Sequence, residues 1–84
     1  MYKVEINKST IKALSKLPQQ QSLRILKKIK RLESNPRPNG VVKLTGSINE
    51  YGIRIGDFRV LYLVEDHILK VLVLKIGNRR DIYK

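Results

Sequence analysis

Apolar and polar positions alternate with a period of two at both ends of the chain, and a helical period fills the stretch between. Residues 2–6 place Tyr2, Val4 and Ile6 on one side and Lys3 and Glu5 on the other, the pattern of a half-buried strand. Asn7 or Ser9 then suits the cap of a short helix through Leu17, because either side chain accepts from free backbone amides. Ile11 and Leu14 fall on its inner side, while Lys8, Lys12 and Lys16 recur every four residues outside. Pro18 ends that helix and fits the first turn of a second, predicted over 18–33. The second helix carries an apolar stripe of Ile25, Leu26, Ile29 and Leu32, with Arg24, Lys27, Lys28, Lys30 and Arg31 over most of the remainder. The Pro- and Asn-rich segment 34–40 breaks it. Together the helices make a hairpin able to cover one face of a sheet.

A short extended approach over 41–44 and a turn at Thr45-Gly46-Ser47 lead into three strands in meander order, roughly 48–55, 58–65 and 68–76. Between the first two, Gly56-Asp57 suits a two-residue type II′ turn. That loop sets a register in which Ile55 faces Phe58, Arg54 faces Arg59 and Ile53 faces Val60. A second tight turn near Asp66-His67 would pair Leu61 with Leu72 and Arg59 with Leu74. Ile53, Val60, Tyr62, Val64, Leu69, Val71 and Val73 are then the core face. Arg54, Arg59, Leu61, Leu63, Leu72 and Leu74 share the other, apolar in the middle with two arginines at one end. Like charges directly opposite are destabilising, so Arg54 facing Arg59 suggests an anion that both grip.

Size confines the chain to one domain, 1–84, with a modest core. It has no cysteine, which removes disulfides and thiolate metal sites. No run approaches the roughly 20 apolar residues of a membrane span, and the first residues read as a strand rather than a signal peptide. A soluble cytoplasmic protein is expected. Eighteen Lys and Arg against seven Asp and Glu give a formal charge of +11, which favours polyanions such as RNA, DNA or an acidic protein partner.

His67 is the sole histidine, set at the turn remote from the arginines, so no histidine-based acid–base pair, metal or cofactor is expected. Gly77 permits a bend that would bring Arg79, Arg80 and Tyr83 to the end of the sheet where Arg54 and Arg59 lie. These residues either clamp a phosphate and stabilise charge developing on it, or are solvated and paired with Glu50, Asp57 and Asp81. The residues alone point to an RNA or phosphate site.

The ordered set Lys43-Leu44-Thr45-Gly46, Tyr51-Gly52-Ile53-Arg54-Ile55-Gly56-Asp57-Phe58-Arg59-Val60-Leu61-Tyr62 and Gly77-Asn78-Arg79-Arg80-Asp81-Ile82-Tyr83 resembles the RelE/ParE toxin superfamily. The resemblance spans essentially the whole chain. It implies an α+β fold, β-α-α-β-β-β, with an antiparallel sheet backed by a helical hairpin. In the RelE branch it implies a toxin that cuts mRNA in the ribosomal A site, through attack of a ribose 2′-hydroxyl on the adjacent phosphate. It also implies a RelB-like antitoxin as partner. By position, Arg59 and Arg79 match the arginines that stabilise the phosphate and leaving group, and Tyr83 the tyrosine that stacks on or orients a base. Arg54 stands where the best-known RelE type has a lysine proposed as general base, and Gly52 where a basic residue is frequent. Asn78 replaces a common histidine. Arg54, Arg59, Arg79 and Tyr83 are therefore the candidate catalytic set, with Lys43 and Arg80 as candidate ligands for RNA phosphates. A ParE-like gyrase inhibitor and a non-catalytic ribosome- or RNA-binding module remain as alternatives.

Overall fold

The computed structural model describes residues 1–78. Strand β1 (Lys3–Ile6) leads into helices α1 (Lys8–Ser15) and α2 (Gln19–Arg31), followed by strands β2 (Val42–Lys43), β3 (Glu50–Ile55), β4 (Phe58–Glu65) and β5 (Lys70–Asn78). They form one sheet in the order β1-β5-β4-β3-β2. The α+β layout is the expected one. The sheet is mixed rather than purely antiparallel, because the two helices return the chain so that β1 lies parallel to β5.

The helices cover one face of this sheet. Leu14, Ile25, Ile29 and Leu32 are buried against Tyr51, Ile53, Ile55, Val60, Tyr62, Val64, Val71 and Val73. On α1 the inner positions are Thr10 and Leu14, whereas the expected Ile11 is 53% exposed. Asn7 explains the rotation. Its Oδ1 accepts from the Thr10 amide (2.9 Å) and its Nδ2 donates to the Leu74 carbonyl (2.6 Å), so the first turn of α1 is tied directly to β5. Asn7→Ala removes both the helix cap and this tie. It is expected to lower stability by about 1–2 kcal/mol, read as a shifted urea midpoint.

The β3–β4 register is as predicted: Ile55 faces Phe58, Arg54 faces Arg59 and Ile53 faces Val60. The β4–β5 register is not. Asp66–Ile68 form a 3₁₀ turn, and Leu69 closes it in the left-handed region (φ 51°). Leu69 is therefore exposed instead of in the core, and Leu63, not Leu61, pairs with Leu72. The pairing slips again at Leu61/Tyr62: Tyr62 pairs with Val73 but Leu61 with Lys75, so Leu74 is an extra residue in a β-bulge. Strict alternation from Val71 and Val73 would send Lys75 into the core. The bulge reverses the phase, so Ile76 packs against the core and Lys75 stays exposed. Arg59 consequently faces Gly77, not Leu74.

The 34–40 loop is pinned to the sheet rather than loose. Tyr62 Oη donates to the Pro36 carbonyl (2.7 Å), and its ring stacks on Tyr51 (centroids 6.0 Å apart). Arg37 lies over the Tyr51 ring, donates from Nε to the Tyr51 hydroxyl (2.9 Å), and holds Asp66 through both terminal nitrogens (3.1 and 2.6 Å). Tyr2 Oη donates to the same carboxylate (2.6 Å). Hydrogen bonds from Arg37, and then from Tyr2, hold the Asp66 carboxyl below the usual carboxylate range. Because its folded value is depressed, its contribution is fully present above the unfolded value of about 3.9 and is lost as pH falls through the folded one. Thermal melts of Asp66→Asn are therefore expected to lose less midpoint than wild type as pH is lowered through that window. An equal loss in both would assign the acid sensitivity to other carboxylates.

Candidate active site

The tip of the β3–β4 hairpin is built by its two-residue loop. Gly56 alone takes a positive φ there (61°), as a type II′ turn requires. The register then presents Arg54 and Arg59 side by side on the face of the sheet away from the helices. Arg54 is exposed, and its Nε donates to the Gly56 carbonyl (3.3 Å), which turns its guanidinium toward the tip. Arg59 is half-buried.

The same face continues through Leu61, Leu63, Leu72 and Leu74, all half-buried. By register, Glu50, Glu65, Lys70, Glu5 and Lys3 occupy its far end, where Glu5 pairs with Lys70 (3.2 Å). The face is thus polarised: cationic at the hairpin tip, apolar in the middle, mixed in sign beyond. Such a surface suits a ligand with phosphates at one end and stacked or apolar groups along the rest.

The predicted site residues divide three ways. Arg54 and Arg59 are brought together. Lys43 is not with them: it pairs with Tyr51, whose side chain belongs to the helix-covered face, so Lys43 projects to that side of the edge strand. Arg79, Arg80 and Tyr83 lie outside the described residues. Asn78 pairs with Phe58 and Gly77 with Arg59, so β5 ends at the hairpin tip, as expected. His67 sits in the far turn, about 25 Å away at roughly 3.3 Å per strand residue. No group of three or more metal-ligating side chains stands together among the described residues.

Two cations near the tip escaped the sequence. Arg24 of α2 reaches it from the helix side: a Cβ on Gly56 would lie only 3.4 Å from its Nη1. Its position on α2 signals nothing, since it is one of many basic residues on that helix. Lys75 joins the open face beside Leu61 because of the bulge. Its signal was present in the sequence, as a lysine in phase with the core residues Val71 and Val73.

The family-wide sequence model described as the ParE toxin of type II toxin–antitoxin systems matches residues 4–83. Among individual relatives, a Methanocaldococcus jannaschii protein whose name assigns it as toxin RelE1 is 36% identical, over 99% of this chain and 96% of its own. The RelE–RelB complex of Pyrococcus horikoshii contains a chain similar in structure (TM-score 0.86) and 35% identical, covering 95% of this chain and 97% of that one. The isolated Escherichia coli RelE toxin matches with a TM-score of 0.80 at 25% identity, covering 99% of this chain and 92% of that one. The strand order, the basic helical hairpin and the paired arginines therefore stand in a known setting: this chain belongs to the RelE/ParE toxin family of type II toxin–antitoxin systems.

Proposed function

We propose that this toxin, acting as a single domain over 1–84, is a ribosome-dependent endoribonuclease that cuts mRNA in the A site. The observation that carries the reading is the Arg54–Arg59 pair, placed side by side at the hairpin end of the sheet face away from the helices. Two guanidiniums so placed can take the non-bridging oxygens of one phosphate and stabilise the charge that builds there as a 2′-hydroxyl attacks. β5 delivers the chain to this end at Asn78, which supports Arg79 and Tyr83 joining the site as leaving-group ligand and base platform, with Arg80 on a neighbouring phosphate. Lys43, on the other side of the edge strand, would serve a more distant phosphate. The reaction leaves a 2′,3′-cyclic phosphate and a 5′-hydroxyl.

The partner that holds the toxin in check is a RelB-like antitoxin in the cytoplasm, as RelB accompanies RelE in the Pyrococcus complex. An acidic segment laid over the cationic tip and the leucines between β4 and β5 would mask the site by charge and by bulk.

A second reading is favoured by one finding, the ParE description of the matching family model: inhibition of DNA gyrase without RNA cleavage. One preparation of the protein decides between them. It is added to translating ribosomes, with primer extension of the mRNA, and to gyrase in a supercoiling assay. Cleavage with unimpaired supercoiling supports the RNA reading. Inhibited supercoiling with intact mRNA supports the gyrase reading, and ribosome binding with neither leaves a non-catalytic binding module.

A further inference from the structure

We propose that Lys75 is a further catalytic residue of this site, the amine that accepts the proton of the attacking 2′-hydroxyl; the inference rests on the RNA-cleaving reading above. A proton must leave that hydroxyl as its oxygen bonds to phosphorus, and the arginine pair cannot take it. Guanidiniums stay protonated and offer no acceptor, whereas a lysine amine can exchange its proton.

Placement singles out Lys75 among the described residues. It pairs with Leu61, and Arg59 is two residues from Leu61 on the same face, so Lys75 and Arg59 are diagonal neighbours, about 7–8 Å apart at the backbone. A four-carbon stem bridges that interval. Across the same row Leu61 pairs with Gly52, so β3 adds no side chain to it. Among the described residues, the carboxylates of β3 and its turn stand apart from the arginine pair or on the other side of the sheet. Glu50 is four residues from Arg54 along β3, about 13 Å at strand spacing. Asp57 lines the helix-side hollow with Gln21 and Arg24.

The position is also fixed. The bulge that turns Lys75 outward is held by Asn7, whose amide donates to the Val73 carbonyl (3.2 Å) and whose Nδ2 donates to the Leu74 carbonyl (2.6 Å). Losing the bulge would exchange Ile76 for Lys75 in the core, which the cost of burying an ammonium opposes.

In the step, the neutral amine of Lys75 takes the 2′-hydroxyl proton while the 2′-oxygen–phosphorus bond forms. The bond from phosphorus to the 5′-oxygen breaks, and that oxygen takes a proton from water. The ammonium then returns its proton to solvent, so the exchange is neutral overall.

The test compares wild type, Lys75→Ala and Lys75→Arg in single-turnover cleavage of ribosome-bound mRNA, with circular dichroism and ribosome binding as checks on folding and docking. Both variants are expected to bind ribosomes and to cut at least about 100-fold more slowly, the usual scale of acid–base catalysis. Added ethylamine should restore part of the Lys75→Ala rate, and tetramethylammonium, of the same charge without an exchangeable proton, should not. Wild-type rates in Lys75→Arg, or equal rescue by both cations, would overturn the proton role. If wild type itself cuts nothing, the RNA-cleaving reading fails and takes this inference with it. If wild type cuts and Lys75→Ala cuts equally well, only the inference fails.

Discussion

Arg59→Ala is expected to slow cleavage of ribosome-bound mRNA by about 100- to 1,000-fold while the protein stays folded. The size follows from what one pre-placed donor contributes to a developing oxyanion in a partly desolvated site. Arg59 is the better placed of the pair: it is half-buried, central in the sheet and flanked by Gly77, while Arg54 is exposed beside the turn. The fold should tolerate the change because Arg59 lies on the face away from the helices and outside the core. Arg59→Lys keeps the charge but loses the two-pronged geometry, so it should recover only part of the rate. Single-turnover rates alongside urea melts read both effects. A large loss of stability with Arg59→Ala would move the residue from the site to the scaffold.

The largest structural effect is expected at Tyr62. This side chain is fully buried, stacks on Tyr51 and donates to the Pro36 carbonyl, so it joins β4 to the 34–40 loop. Burial, followed by the neighbouring Tyr51, pushes its phenol well above the ordinary value; it acts as a neutral donor throughout the useful pH range. Tyr62→Phe keeps the ring and deletes the donor, leaving the carbonyl of buried Pro36 without that partner, at about 1–2 kcal/mol. Tyr62→Ala opens a cavity as well and should cost about 3–5 kcal/mol. Native domains are stable by only about 5–15 kcal/mol in total, so the alanine variant should lose a large share of its stability. Urea denaturation followed by circular dichroism separates the two. Equal losses for both would assign the whole effect to the hydrogen bond.

Local chemistry wrote some of this structure plainly into the sequence. Gly56-Asp57 left one compact way to close the hairpin, so the Arg54–Arg59 pairing was legible before any tertiary contact was known. The helix boundaries followed Asn7, Pro18 and the 34–40 breaker for the same reason. The β4–β5 register depended on a competition between turn and core, for which Lys75 in phase with Val71 and Val73 was the sequence signal. A 3₁₀ turn closed by a left-handed Leu69 replaced the tight turn, and the penalty for burying Lys75 then forced the bulge at Leu74. The inward face of α1 was likewise misread, because Asn7 bonds to β5 and rotates Thr10 under the helix in place of Ile11. Arg37 could not be told apart from the other basic residues until its contacts with Tyr51 and Asp66 were seen, and those contacts make it a scaffold residue. At the site itself, the arginine pair came from register, whereas Arg24 and Lys75 required the packing of α2 and the bulge.

The central claim is that the cationic end of the open face carries out a transesterification on RNA. The chemistry of the cut ends tests it most directly. Fragments from ribosome-bound mRNA treated with wild-type protein should carry a 2′,3′-cyclic phosphate on one side of the cut and a 5′-hydroxyl on the other, identified by mass spectrometry and by labelling with polynucleotide kinase without prior phosphatase. Fragments ending in a 3′-hydroxyl and a 5′-phosphate, or mRNA left uncut, would contradict it.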